Sequence, residues 1–275
     1  MSYSSALIED LQNKAKILRK NVLISIGEGN FGHLGGSFSA ADIVTALYFH
    51  KMNIDPKNPK KADRDRFLLS KGHVAVLQYS ALAELGYFPS DELKRTKYIG
   101  SMLQGHPDLR KTPGIEASTG SLGQGLSIGL GLALGLRIDG IKSNVYVLIG
   151  DGELAEGQLW EAAIAASVHK ADKLVAILDK NNAQAMGRTV ERFPIDKISE
   201  KWAACGWRII EIDGHNMEEI VTALDQATEH DGRPTVIIAN TIKGKGFKIA
   251  EEHEAGFHNV LMTKELYQQA LELFE

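Results

Sequence analysis

The sequence predicts an α/β fold, a largely parallel sheet with helices on both faces, and two observations carry that reading. Between residues 145 and 239 short apolar runs alternate with segments of helical periodicity, the pattern of strand–helix–strand units. The run Val145–Ile149 closes on Gly150-Asp151-Gly152, and the run Leu174–Leu178 is followed closely by Asn181-Asn182. A carboxylate and an amide oxygen therefore leave the carboxyl ends of two neighbouring strands, where open α/β sheets bind ligands.

The elements follow in order. Leu7, Leu11, Ala15, Leu18, Val22 and Ile26 fall at helical spacing over residues 4–28. Asp42–Phe49 reads as a second helix with Ser39 as its N-cap. A Pro- and Lys-rich loop, Asn53–Asp65, leads to a short strand, Phe67–Leu69, that ends in Ser70-Lys-Gly-His73, and Val74–Leu85 is helical again. Gly100–Thr119 is a long polar connection holding Gly105-His-Pro107, and such loops are often functional. A Gly-rich helix starts at Leu122, with Gly129, Gly131 and Gly135 read as packing glycines. Strands at 145–149, 174–178, 207–212 and 235–239 then alternate with helices at 158–169, 199–204 and 217–228, before an amphipathic helix at 264–274. With no repeat, low-complexity stretch or clear linker, residues 1–275 read as one domain.

Composition narrows the function classes. A formal net charge of -4 argues against a polyanionic partner such as nucleic acid. The N-terminal ten residues lack the basic-then-apolar plan of a signal peptide, and no apolar run is long enough to span a bilayer, so a cytoplasmic protein without membrane attachment is expected. The single cysteine, Cys205, excludes an internal disulfide and a multi-Cys metal site and reads as a small buried residue.

The chemistry-bearing motifs are glycine- and histidine-rich. Asp and Asn are hard oxygen ligands suited to Mg²⁺ or Ca²⁺, and Mg²⁺ commonly completes its shell with phosphate oxygens, so Asp151 with Asn181 reads as a metal clip for a diphosphate. Gly152 lets backbone approach a phosphate closely. Thr119-Gly-Ser-Leu-Gly-Gln-Gly125 opens a helix, whose N-terminus favours anions. Gly-His pairs recur at His33, His73 and His106, and His258 lies in Gly-Phe-His near the end; imidazoles move protons and polarise oxygens near neutral pH. The remaining histidines read as structural or solvent-facing. Glu153 sits where the helix dipole favours an acid, Glu156 suits a subunit contact, and Lys243-Gly-Lys-Gly246 reads first as a solvated, mobile basic loop and second as cover for a cofactor or substrate.

Asp151 with Asn181 thirty residues on resembles the thiamine-diphosphate signature. Five motifs occur in the order found in transketolases: Gly-His-Leu-Gly-Gly at His33, Ser-x-Gly-His at His73, Gly-His-Pro at His106, Thr-Gly-Ser-Leu-Gly-Gln-Gly at residues 119–125, and Gly-Asp-Gly-Glu with its later Asn. The resemblance runs from His33 to His258 and is nearest to split transketolases, whose N- and C-terminal parts are separate polypeptides. It implies a thiamine-diphosphate-binding fold with metal ligands Asp151, Asn181 and the backbone carbonyl of Ala183. It also implies diphosphate contacts at His73, Gly120, Ser121, Leu122, Gly152 and Glu153, and sugar contacts from His33, His73, His106 and His258. The implied reaction moves a two-carbon ketol unit between sugar phosphates, in carbohydrate metabolism and the pentose phosphate pathway. The glutamate that activates the aminopyrimidine lies on a second domain in the family. The implied partner is thus a C-terminal subunit carrying the pyrimidine-binding domain, in a heterotetramer.

Three positions depart from the family pattern. Leu34 stands where Pro is common, Asn182-Ala183 replaces Gly-Leu or Gly-Ile, and His253 is a near alternative to His258. Two sibling readings keep the cofactor: one is deoxyxylulose-phosphate synthase-like, the other like part of a 2-oxoacid dehydrogenase. The third reading is a non-catalytic scaffold subunit that binds the cofactor.

Overall fold

The computed structural model describes residues 3–274; Met1, Ser2 and Glu275 lie outside the described residues. Its centre is a five-stranded sheet, built from β2 (Arg66–Leu69), β3 (Val145–Gly150), β4 (Leu174–Lys180), β7 (Arg208–Asp213) and β8 (Thr235–Asn240). The order is β2-β3-β4-β8-β7 and every pairing is parallel. Two-residue pairs complete the strands. β1 (Phe31–Gly32) lies antiparallel to β9 (Val260–Leu261), and β5 (Ala183–Gln184) to β6 (Gly187–Arg188).

Strand side chains alternate between faces, and each face feeds its own core. Tyr146 and Leu148 of β3 join a cluster with α1 (Ser5–Ile26), α2 (Leu34–Ser39), α3 (Ala41–Ala46), α4 (Ala75–Glu84), α8 (Met217–Gln226) and α10 (Lys264–Glu272). Val145, Val147 and Ile149 join the other cluster, under α5 (Gly125–Ile138), α6 (Gly157–Val168) and α7 (Ile198–Ala204). α9 (Lys248–Glu252) follows the loop after β8. Among the described residues no helix is long and apolar enough to cross a membrane.

Several sequence expectations need correction. Ser39 does not cap the helix after it: it ends α2, and its hydroxyl donates to Asp179 Oδ2 at 2.6 Å, a partner 140 residues away that no local pattern reveals. The Gly-rich helix begins at Gly125, not Leu122, because Gly123 takes a left-handed φ of 81° that a right-handed helix cannot contain; Gly125 itself packs on the loop after β2, where a Cβ would lie 2.8 Å from Ser70 Cα. Gly129 does pack, against Val147, but Gly131 and Gly135 face open space and touch nothing in this chain. Cys205 is half-buried rather than buried.

All three tryptophans of the chain gather on the α6–α7 side. Trp202, fully buried, sits 5.3 Å from Trp160 and 4.8 Å from Trp207 between ring centroids. Trp160 Nε1 donates to Leu154 O at 2.8 Å, which ties this cluster to the turn that follows Asp151.

Candidate functional site

The parallel register of β3 and β4 opposes Gly150 to Asp179, so Asp151 and Asn181 leave the sheet side by side. Asp151 is 2% exposed, and its Oδ2 accepts the Asn182 N–H. Asn182 adopts a left-handed φ of 61°, a conformation Asn tolerates better than most residues. Burial, and then the charge of Asp179, push the Asp151 carboxyl up to about 7. Asn181 is also buried: its Oδ1 accepts the Ala183 N–H at 3.1 Å and its Nδ2 donates to Asp179 Oδ2 at 3.0 Å.

A cavity of about 180 Å³ opens above these groups, lined by Asp151, Gly152, Asn181, Ala183, Gln184 and His73 among others. The donor set suits a hard divalent cation, since it consists of carboxylate, amide and carbonyl oxygens. The walls also suit an anionic group: Gln184 Nε2, a donor, is buried with no partner. Gly152 keeps the floor open, because a Cβ there would lie 3.0 Å from Gln184 Cγ. The residues present therefore fit a metal-bound diphosphate.

Beneath the cavity lies a feature that sequence reasoning missed. Asp179 is fully buried at the end of β4, and its carboxylate accepts from four side chains: Lys71, Ser39, Asn181 and Thr241. Lys71, 2% exposed, also donates to Gly36 O at 3.0 Å. Lys71 and the other donors hold the Asp179 carboxyl below the usual range despite its burial, which pushes the other way. A signal was present, since a charged residue at the end of a buried apolar strand requires a counter-ion.

The pairing of β1 with β9 brings the His33 turn against the segment carrying His258. Ring centroids of His33, His73 and His258 lie 5.0 Å (33–73), 5.4 Å (33–258) and 5.1 Å (73–258) apart. His258, not the exposed His253, is thus the late histidine of the cluster. His106 stands at the exposed rim, its ring 2.8 Å from where a Cβ on Gly120 would be. Burial is the first cause that lowers the imidazole pKa values, to about 4 for His33, about 2 for His73 and about 4 for His258. Burial lowers that of His106 as well. The clustered rings are neutral at pH 7, able to donate and accept at once.

A pH dependence of stability follows. An unfolded histidine titrates near 6.5 and these folded ones well below it, so the unfolded chain binds more protons between those values. The histidine contribution is fully present above about pH 6.5 and is lost as pH falls toward about 4. Asp151, shifted upward, works in the opposite direction over about pH 4 to 7. The comparison must therefore be made against a variant. Between pH 8 and pH 5 the wild type is expected to lose more stability in chemical unfolding than the H33N/H258N variant, and parallel losses would contradict the assignment.

The other expected residues divide. Glu153 is more than an acid placed in a helix dipole: it is 1% exposed and accepts Ser70 Oγ, the Gly123 N–H at 2.7 Å and the Gly150 N–H at 3.1 Å. Its oxygens clamp the Gly120-Ser121-Leu122 turn to the Asp151 turn. Glu156 is exposed. The loop expectation for Lys243 is overturned. Lys243 is 1% exposed and its Nζ donates to Ala183 O at 2.9 Å and Gln184 O at 3.3 Å, with His258 Nδ1 at 3.3 Å. Carbonyl acceptors more than fifty residues away draw it inward, and burial lowers its pKa to about 8.

Comparison with known proteins agrees with this geometry. Residues 11–271 match the family model described as transketolase, thiamine diphosphate binding domain. The chain is 46% identical to the 6-deoxy-6-sulfo-D-fructose transketolase subunit SqwG of Clostridium sp. (strain MSTE9), over 95% of each chain. It is 42% identical to an apulose-4-phosphate transketolase subunit of Actinobacillus succinogenes, over 92% of this chain and 91% of that one. Among solved structures, transketolase from Campylobacter jejuni superposes with a TM-score of 0.90 at 33% identity, covering all of this chain and 43% of that one. The chain thus spans less than half of that enzyme, and it belongs to the transketolase family, which it matches through the thiamine-diphosphate-binding domain.

Proposed function

We propose that this chain is the diphosphate-binding subunit of a two-chain transketolase, a transferase that moves a two-carbon ketol unit from a ketose phosphate to an aldose phosphate. The observation that carries the reading is the juxtaposition of the Asp151–Asn181 pair with the His33–His73–His258 cluster around one cavity. Relatives of nearly the same length are named transketolase subunits. That naming, with the exposed Glu156 beside the site, supports a partner carrying the pyrimidine-binding domain and a heterotetramer.

In this reading residues 1–275 work as one domain, in the cytoplasm, in carbohydrate metabolism of the pentose phosphate type. Asp151, Asn181 and the Ala183 carbonyl hold Mg²⁺, with Ca²⁺ acceptable to the same oxygens. Gly152, His73 and the Gly120-Ser121-Leu122 turn hold the diphosphate, and Glu153 fixes both turns. Bound thiamine diphosphate supplies the electron sink that makes carbon–carbon cleavage possible. The protein's share is orientation and proton handling. His33, His73, His106 and His258 hydrogen-bond sugar oxygens and hold protons as those oxygens gain or lose charge. Lys243, donating to His258 Nδ1, leaves that imidazole's proton on Nε2.

The test is ketol transfer from xylulose 5-phosphate to ribose 5-phosphate with thiamine diphosphate and Mg²⁺. It is run with this chain alone and with the product of the adjacent reading frame. Activity is expected only in the mixture. Full activity of the chain alone would remove the partner from the reading, and activity with pyruvate but not with ketoses would move it to a sibling reaction.

A further inference from the structure

We propose that Asp179 is a positioning residue that sets the orientation of the Asn181 amide, and hence whether oxygen or nitrogen faces the cation. The inference rests on the proposed metal role of Asn181. An asparagine side chain is nearly symmetric in shape, and its two ends differ only in what they can bond. As a ligand it works in one of two flips, so something must choose. Here Asp179 Oδ2 accepts Asn181 Nδ2 at 3.0 Å, in a place where the opposite flip would set oxygen against a carboxylate. The Asn181 oxygen is turned away from Asp179 and accepts the Ala183 N–H at 3.1 Å, so the carboxylate and that N–H fix the same flip from opposite ends of the amide.

Asp179 can do this only if its own carboxylate cannot turn. Its other partners prevent it: Ser39 Oγ at 2.6 Å and Lys71 share Oδ2 with Asn181, and Thr241 occupies Oδ1. These four donors come from α2, from the loop after β2, from the Asn181 turn and from the segment after β8. Each of these segments also carries a residue of the site, respectively those near His33, His73, Ala183 and Lys243. One buried carboxylate therefore keys four separately folded segments to a common geometry. Groups that orient a metal ligand in this way typically change metal affinity 10- to 100-fold when removed.

The test uses the two-chain complex with thiamine diphosphate and reads Mn²⁺ affinity by electron paramagnetic resonance. D179L removes the acceptor at the Oδ2 place, where an asparagine would keep one by turning its own oxygen there, so that only the Ala183 N–H is left to hold the flip of Asn181. Mn²⁺ affinity is expected to fall at least about 10-fold, with ketol transfer recovering at saturating metal. D179L leaves Lys71 buried without its counter-ion and can unfold the chain. The K71M/D179L variant removes both charges and is expected to melt above D179L while keeping the affinity loss. If the double variant, folded, binds Mn²⁺ within twofold of wild type, Asp179 acts only in stability and the inference is wrong. If the wild-type complex itself takes up no Mn²⁺ with thiamine diphosphate, the metal reading of Asp151 and Asn181 falls instead.

Discussion

Replacing Lys71 with methionine is expected to destabilise the chain by about 3–5 kcal/mol, the cost of leaving a buried carboxylate without its counter-ion. Lys71 and Asp179 are 2% and 0% exposed, so water cannot take the place of the missing ammonium. Methionine conserves the length of the side chain and its packing against Gly150, where a glycine Cβ would lie 3.5 Å from Lys71 Cδ. The loss is therefore electrostatic rather than a cavity. Equilibrium unfolding in urea at pH 7.5 measures it. A difference below about 1 kcal/mol would show that Ser39, Thr241 and Asn181 suffice to hold the charge, since each hydrogen bond to a charged group contributes about 1.5–3 kcal/mol. Removing both charges in K71M/D179N should recover most of the loss, because replacing a whole buried ion pair by neutral groups is often close to neutral.

The second large effect has opposite signs in stability and in function. Asp151→Asn should abolish the metal-dependent reaction and cost more than about 100-fold in Mg²⁺ affinity, a larger loss than removing a group that merely orients a ligand. In the metal-free chain the same substitution should stabilise. The Asp151 carboxyl is buried, faces the charge of Asp179 and titrates at about 7 rather than 3.8. Such a group favours folding below its unfolded pKa and loses that benefit as pH rises through its folded value. At pH 8 the ionised form therefore carries a penalty that an amide avoids, up to about 4 kcal/mol at 1.36 kcal/mol per pH unit. A higher unfolding midpoint for D151N than for wild type, without metal and at pH 8, checks the sign. Equal midpoints would mean that the carboxylate is already compensated. This is the usual opposition between a site strained for its task and the stability of the fold around it.

What could be read from the sequence was what local chemistry decides. The parallel sheet was legible because its strands are apolar runs separated by amphipathic helices. The Asp151–Asn181 clip was legible because both residues end such runs. The strand order β2-β3-β4-β8-β7 was not, since nothing within a strand names its neighbour. Three of the misses share one cause. Ser39 has the residue type and position of a helix cap, yet its hydroxyl is claimed by Asp179. Lys243 lies in a glycine–lysine stretch that reads as solvent-exposed, yet carbonyls of Ala183 and Gln184 draw it inside. Lys71 and Asp179 stand 108 positions apart, and only the closed sheet makes them a pair. Long-range acceptors, not propensities, decided all three.

The tryptophan cluster gives the molecule a built-in optical gauge. Every indole in the chain belongs to one packed group, so emission comes from one layer of the fold. Trp160 Nε1–H is bonded to the Leu154 carbonyl, three residues beyond Asp151. Any tightening of the Asp151 turn around a bound ion must be felt by that hydrogen bond, and indole emission is sensitive to the polarity and bonding of its N–H. Titrating the unlabelled chain with metal and cofactor in a fluorimeter therefore reads the site without a probe. Unfolding monitored by indole emission reports the α6–α7 layer, while the larger opposite core, with Tyr48, Tyr79 and Tyr146 but no tryptophan, contributes only tyrosine signal.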